Sequence, residues 1–263
     1  MIVRDMPDGR VLCIHQTSHA LMAAEFCRHW GNRDFATPHP YAATMLAISQ
    51  HDNGWLEWEL QPKLRADGYP MDFIHDDDPS AKVQLWRRGV NRAYEQHPYA
   101  AVLIGRHAAM LYESGDQNSL PEDLRAHIAD FLADQQMLLA LVRHEFTANA
   151  NMLAALTDSV VDANTRLLQF GDNASLQVIM PWGTPRLIAN CPVDNAGTRV
   201  AIQMAYDDTT INFDPWPYAV DAFAVSIHGR LLSQRYFPDQ ATYHAALLEA
   251  PYHIQSWQVT RNG

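Results

Sequence analysis

The chain has 263 residues, 48% of them hydrophobic, enough for one large core or two small ones. A formal net charge of -11 with no run of Lys or Arg argues against nucleic acid and against an acidic membrane surface, both of which need a basic face. Three cysteines without a CxxC spacing, no basic-then-apolar leader and no apolar run of about 18 residues predict a soluble cytoplasmic protein with reduced thiols.

Residues 1 to 178 are predicted to be helical after a short start, Arg10 to Ile14, that reads as a strand. Thr17 or Ser18 caps a first helix that runs to Trp30, and Gly31 stops it. Pro40 opens a second helix through Met45, Leu46 and Ile48, which ends near His51-Asp52 and is broken by Asn53-Gly54. Residues 55 to 78 read as a polar loop rich in Trp, Pro and Asp. Pro79 and Pro98 sit at first helical turns, opening helices that reach Gln96 and Glu113. Pro121 begins a long helix through Leu124, Ile128, Phe131 and Leu138. A last helix starts near Asn151 and runs to Leu168, with Gln169 to Leu176 near its end.

From about 177 the texture changes to the short alternation of strands: Gln177 to Met180, Thr198 to Met204, Thr209 to Phe213, Phe223 to Ile227 and Ile254 to Val259, with one helix from Asp239 to Ala250. The expected fold is therefore mainly α, a helical bundle over 1–178 followed by a smaller β-rich region over 179–263. Pro181 to Pro185 is the expected junction. Asp214-Pro215-Trp216-Pro217-Tyr218 reads as an exposed apolar loop that shapes a pocket or joins a homodimer.

The pair His51-Asp52 carries the most chemical information. An imidazole and a carboxylate side by side at the end of an apolar helical run need a cation or a polar partner, and one nitrogen with one oxygen ligand suits a divalent transition metal. Three further residues sit oddly on predicted helices. His19 opens an amphipathic helix, where it either points inward or caps. His107 lies within Val102 to Leu111 and needs a hydrogen-bond partner or a metal. Asp172 is flanked by apolar residues late in a helix, as a turn residue or as a ligand.

Together these residues give the pattern His…His-Asp…Asp, and the chain resembles the HD-domain superfamily of metal-dependent phosphohydrolases. Leu46-Ala47-Ile48-Ser49-Gln50-His51-Asp52-Asn53-Gly54 is similar to that family's apolar run into His-Asp-x-Gly. Leu167 to Leu176 is similar to its late Asp segment. The chain looks closer still to a bacterial domain-of-unknown-function branch marked by His-Asp-Asn-Gly-Trp, here 51 to 55, with Gln16-Thr17-Ser18-His19 before it. The resemblance implies an HD-like bundle and metal ligation by His19, His51, Asp52 and Asp172. It implies His107 as a second-metal ligand or a polar contact, with His75 and His97 behind it. His15, four residues before His19, is an alternative or supporting partner. The ion would be Fe, Mn, Zn, Co or Ni, one or two per chain, with Asp52 able to bridge two.

The implied activity is hydrolysis of a small soluble, phosphorylated substrate by a metal-activated water. Asp52 would orient that water, and Arg106, Lys63, Arg87 and Arg88 are candidates for binding an anionic group. A non-catalytic ligand-sensing or assembly module on the same scaffold, and a diiron oxygenase, are the alternatives. The chain departs from the general family where Trp55-Leu56-Glu57-Trp58 follows His-Asp-x-Gly. Gly68-Tyr69-Pro70 is similar to a cyclic-dinucleotide phosphodiesterase signature, but no His pair precedes it. His144-Glu145 begins like HExxH, but position 148 is Ala. Asp76-Asp77-Asp78 reads as a solvated acidic loop able to recruit a cation. Trp55, Trp58 and Trp86 wall a pocket or fill a core.

Overall fold

The computed structural model describes residues 1–75, 78–116, 120–180 and 182–261, so Asp76 and Asp77 of the acidic loop and Pro181 of the expected junction lie outside the described residues. The chain opens with two strands, β1 (Ile2–Asp5) and β2 (Val11–Ile14), paired antiparallel. Helices follow: α1 (Gln16–Cys27), α2 (Tyr41–Gln50), α3 (Leu56–Glu59), α4 (Pro79–Gln96), α5 (Pro98–Ser114), α6 (Glu122–Glu145), α7 (Ala150–Ala155) and α8 (Asp158–Ile179). A 3-10 turn, Asn53–Trp55, links α2 to α3. Then come β3 (Arg186–Pro192), β4 (Arg199–Tyr206), β5 (Thr210–Asp214), β6 (Ala222–Leu232), α9 (Gln240–Glu249) and β7 (Tyr252–Thr260).

Among the described residues, seven strands belong to one sheet, in the order β1-β2-β6-β7-β5-β4-β3. The β5–β7 contact is parallel. The expectation of a mainly α, HD-like bundle is overturned. Helices take about 49% of the chain and strands about 20%, which makes the fold α+β with a β-rich C-terminal part. The N-terminal strands join that sheet through β2, whose Val11 lies opposite Leu232 of β6. A four-residue strand such as β1 is too short to show a period, and the partner of β2 is distant in sequence.

Other local expectations fail for identifiable reasons. Gln177 to Ile179 ends α8 instead of forming a strand; a short apolar run is ambiguous between buried helix and buried strand. β3 was not expected because its pattern is broken by a register shift between Ile188 and Cys191. Neither Thr17 nor Ser18 caps α1, which begins behind His15. The Gln16 N–H is instead held by Glu59 Oε1 at 2.7 Å. The two proline starts hold: the Asp78 carboxylate accepts from Ala81 N at 2.9 Å, and the His97 ring accepts from Tyr99 N at 3.1 Å, each satisfying a free donor of a first turn.

The core lies where α1 and α8 cross over the sheet. Phe213 of β5 meets Phe26 of α1 and Phe170 of α8, with ring centroids 5.9 and 5.4 Å apart. Tyr218 completes this aromatic group against Trp30 and Phe223 and is buried. The segment 214–218 is therefore no exposed apolar loop, because its tyrosine is drawn into the core. The close crossing of α1 and α8 needs Gly171: a Cβ there would lie 2.6 Å from Ala23 O and 2.7 Å from Cys27 Sγ. That approach brings the next residue, Asp172, up to α1. Among the described residues, no helix is long and apolar enough to cross a membrane.

Candidate metal centre

Four helices each turn one polar side chain into an apolar face. In α1, His19 shares its side with buried Met22 and Ala23. His51 extends the buried stripe of Ala47 and Ile48, four and three residues earlier. His107 stands one turn beyond Leu103 and Ile104, both buried. Asp172 follows Leu168 on α8 by four residues. Asp52 sits in the link between α2 and the 3-10 turn, where Gly54 lets the backbone pass against Leu85 of α4.

The side chains converge. His19 Nε2 lies 3.0 Å from Asp172 Oδ1 and 3.7 Å from Asp52 Oδ2. His51 Nε2 lies 3.5 Å from Asp52 Oδ2 and 3.6 Å from Asp172 Oδ1. His107 Nε2 faces the other oxygen, Asp172 Oδ2, at 3.9 Å. The three imidazoles are each about 1% exposed. They meet edge to face, with centroids 5.3 Å apart for His19–His51 and 5.5 Å for His51–His107. Donor atoms of His19, His51 and Asp172 all lie within 4.8 Å of one another, a grouping able to hold a metal ion.

The far side of each ring decides what the near side can do. His51 Nδ1 is 2.7 Å from Ile48 O. A carbonyl only accepts, so Nδ1 carries the proton and the neutral ring has its lone pair on Nε2. That Nε2 is buried and has no hydrogen bond. His19 Nδ1 is 2.9 Å from Ser175 Oγ. The same Oγ lies 2.9 Å from Gly171 O and 3.0 Å from Asp172 O. With that proton on one of these carbonyls, Ser175 Oγ accepts from His19 Nδ1 and leaves His19 Nε2 its lone pair; in the other tautomer Ser175 donates to Nδ1 and His19 Nε2–H donates to Asp172 Oδ1 at 3.0 Å. His51 therefore aims an Nε2 lone pair at carboxylate oxygens, and His19 does so in the first of its two tautomers, an arrangement that requires a proton or a cation between them. Two ligands about 2.0–2.2 Å from one ion stand roughly 3.0–3.6 Å apart, which matches three of the four separations between these nitrogens and the two carboxylates.

Charge follows the same geometry. Burial opposes protonation of His51, but Asp52 and Asp172 outweigh it and hold its pKa up at about 9. Burial dominates at His107 and pushes its pKa down to about 4, so that ring is neutral at physiological pH. Burial raises the Asp52 carboxyl, although the nearby imidazoles pull the other way. Asp172, its side chain 14% exposed, is also largely desolvated, yet the hydrogen bond with His19 and the charge of His51 hold it well below the ordinary carboxylate range.

Of the other candidates, His75 is tied to Asp72 through Nδ1 at 2.7 Å, and His97 caps α5 and stacks on Phe146. His15 faces Glu59, with Nδ1 3.9 Å from Oε2. Arg87 pairs with Asp134, Arg88 with Glu57 at 2.9 Å, and Arg106 with Glu113 at 2.8 Å. Lys63 is exposed, its ammonium 5.8 Å from the Trp58 ring centroid. Trp86 does reach the centre, with its ring 5.6 Å from that of His107. Trp55 and Trp58 pack on each other. Sequence reasoning missed Ser175; its signal was a hydroxyl three residues after Asp172 on one helix face.

A family model described as "Protein of unknown function (DUF3891)" matches residues 1–234. No curated protein and no solved structure gives a match.

Proposed function

Since the chain belongs to the DUF3891 family, whose description carries no chemistry, we propose from the geometry that it is a metal-dependent hydrolase, acting on a small phosphorylated molecule. The observation that carries this reading is the convergence of donor atoms of His19, His51 and Asp172 within 4.8 Å, with His51 Nδ1 tied to Ile48 O so that its Nε2 lone pair faces Asp52 and Asp172. His19, His51 and Asp172 would hold a divalent transition ion, with Asp52 beside them. The arrangement His19…His51-Asp52…Asp172 supports kinship with the HD-domain phosphohydrolases, and the phosphoryl preference rests on that kinship.

When bound, such an ion polarises a phosphoryl oxygen and brings the pKa of a coordinated water toward neutrality. The protein's own residues do the rest. The Ile48 carbonyl keeps His51 in the tautomer that leaves Nε2 free, and Ser175, accepting from His19 Nδ1, would do the same for His19 once an ion is bound. Asp52 has its proton affinity raised by burial, and its Oδ2 is placed to hold a proton taken from an attacking water. Trp86 shields the His107 side of the centre from solvent. Asp172 turns Oδ1 to His19 and His51 and Oδ2 toward His107. His107 and Asp172 would be the residues to hold a second ion, were one bound.

The test is elemental analysis of protein purified without affinity tag or chelator, alongside Asp52→Ala checked for folding by circular dichroism. We expect at least one equivalent of Fe, Mn, Zn, Co or Ni in the parent, depleted in the folded variant, with metal-dependent release of phosphate from simple phosphoesters. A parent that stays metal-free after incubation with each of these ions would falsify the reading. Iron with O₂-dependent turnover would replace hydrolysis by oxygenase chemistry.

A further inference from the structure

A second polar site lies on another side of the helices that build the metal centre. It is a cleft of about 530 Å³ where α5, α8 and β3 meet. Arg106 enters it from α5, Arg166 from α8 and Arg186 from β3, with Gln169 and Asn173 between them. No residue of the metal centre lines it. Arg106 nevertheless precedes His107, and Asn173 follows Asp172. Successive side chains on a helix diverge by about 100°, so α5 and α8 present one face to the metal centre and another to this cleft.

The charges in the cleft do not cancel. Arg106 Nη1 donates to both oxygens of Glu113, at 2.8 and 2.9 Å. Asp162 lies 3.3 Å from Arg166 Nε and is also bound by Arg199. The buried Arg166 Nε is not aligned for a hydrogen bond with any acceptor. The Arg186 side chain has no hydrogen-bond or ion-pair partner among the described residues. Three arginines and one carboxylate, Glu113, thus line the cleft, while Asp162 is held between Arg166 and Arg199, which leaves two positive charges over in the lining of a chain whose formal net charge is -11. Gathering like charges costs Coulomb energy, and an anion offsets it. A planar guanidinium is suited to phosphate oxygens, which it can bind in pairs.

We infer that the Arg106–Arg166–Arg186 cleft binds the phosphate of a small phosphorylated molecule, as a site separate from the metal centre. The surplus of two positive charges matches a phosphate dianion, and the amide side chains of Gln169 and Asn173 offer polar contacts for the rest of the molecule. This inference stands on the cleft alone, whether or not the metal centre hydrolyses phosphoesters.

The experiment is calorimetric titration of the full chain with inorganic pyrophosphate, with sodium chloride at matched ionic strength and citrate as a carboxylate arm. It is run on the parent, on Arg186→Ala, on Arg166→Ala, on Asp52→Ala and on Arg33→Ala, whose side chain is 90% exposed elsewhere on the surface. Circular dichroism verifies folding of each; Arg186 is itself exposed, so its truncation leaves the core intact. We expect a saturable component of pyrophosphate binding that persists in Asp52→Ala and Arg33→Ala, whether or not the metal centre adds a second component in the parent, and that is at least tenfold weaker in Arg186→Ala and Arg166→Ala. It should weaken further as salt rises. Binding no stronger than the chloride control, or equal in the parent and Arg186→Ala, overturns the site. Loss in Asp52→Ala with retention in Arg186→Ala places the anion on the metal centre instead. Citrate binding as tightly as pyrophosphate overturns the phosphate assignment.

Discussion

The chain holds two groupings of buried Asp with His, and they differ in where their lone pairs go. In the segment between α3 and α4, Asp72 accepts from Ile74 N at 2.8 Å, from His75 N at 3.0 Å and from His75 Nδ1 at 2.7 Å. Every one of these contacts is a donor meeting an acceptor, so the turn is satisfied as it stands. At the convergence of α1, α2, α5 and α8 His51 spends its Nδ1 proton on Ile48 O, and two imidazole Nε2 atoms crowd two carboxylates at 3.0–3.7 Å, where a proton or a cation is needed between them. Proximity of His to Asp is thus common to both. What distinguishes the candidate metal centre is that the far ring nitrogen of His51 holds the proton and donates it to a carbonyl, leaving the near nitrogen for an ion.

The sharpest way to break the comparison is to remove a carboxylate from the unsatisfied group. Asp172→Ala takes away both oxygens that face the three imidazoles. Metal content, by elemental analysis after dialysis, is expected to fall from about one equivalent or more to near zero. The stabilisation conferred by added metal should vanish with it. For the parent that stabilisation is about 2.7 kcal/mol when free ion is a hundredfold above its dissociation constant, read as a rise in thermal midpoint. A variant that folds and still binds a full equivalent would remove Asp172 from the ligand set.

Acidity separates the histidines next. In the metal-free chain His51 is held protonated up to about pH 9 by its carboxylate neighbours, whereas His107 is already neutral above about pH 4. An ion must displace a proton from His51 but none from His107. Below pH 9 affinity should therefore rise with pH, by about tenfold per unit for one proton released, so roughly a hundredfold between pH 6 and 8. Titration calorimetry in buffers of different ionisation enthalpy checks the proton count. No net proton release near pH 7 would contradict the raised His51.

A smaller effect is expected from Ser175→Ala, which leaves all ligands in place but frees His19 to rotate and to change tautomer. Loss of such a supporting hydrogen bond weakens metal binding by about 10- to 100-fold. Competition with a chelator of known affinity measures it, and an unchanged affinity would mean that packing alone fixes the ring.

The candidate ligands were legible in the sequence because each breaks an apolar helical stripe: His51 after Ala47 and Ile48, His107 after Leu103 and Ile104, Asp172 after Leu168. A polar residue in such a stripe must be answered by something, and the demand shows without coordinates. What answers it does not show. Ser175 reads as an ordinary helix residue until α8 is seen against α1, and Trp86 reads as core. The sheet was half legible for a similar reason. β4 to β7 carry alternation within themselves, but β2 owes its place to β6, far along the chain. The arginine cleft was hidden because Arg186 lies on β3, the strand whose irregular register conceals it.

The smallest effect should come from the satisfied group. Asp72→Ala deletes an acceptor of three donors in one turn. Those N–H groups lie near solvent, with the His75 side chain 55% exposed, so water replaces most of what is lost. The expected cost is about 1–2 kcal/mol by denaturant unfolding, near the net value of one or two ordinary hydrogen bonds, with metal content and affinity unchanged. The two aspartates have similar burial, so burial cannot account for a difference between their variants. A loss of metal in Asp72→Ala equal to that in Asp172→Ala would show that the number of carboxylates in the chain, and not the direction of the imidazole lone pairs, governs binding.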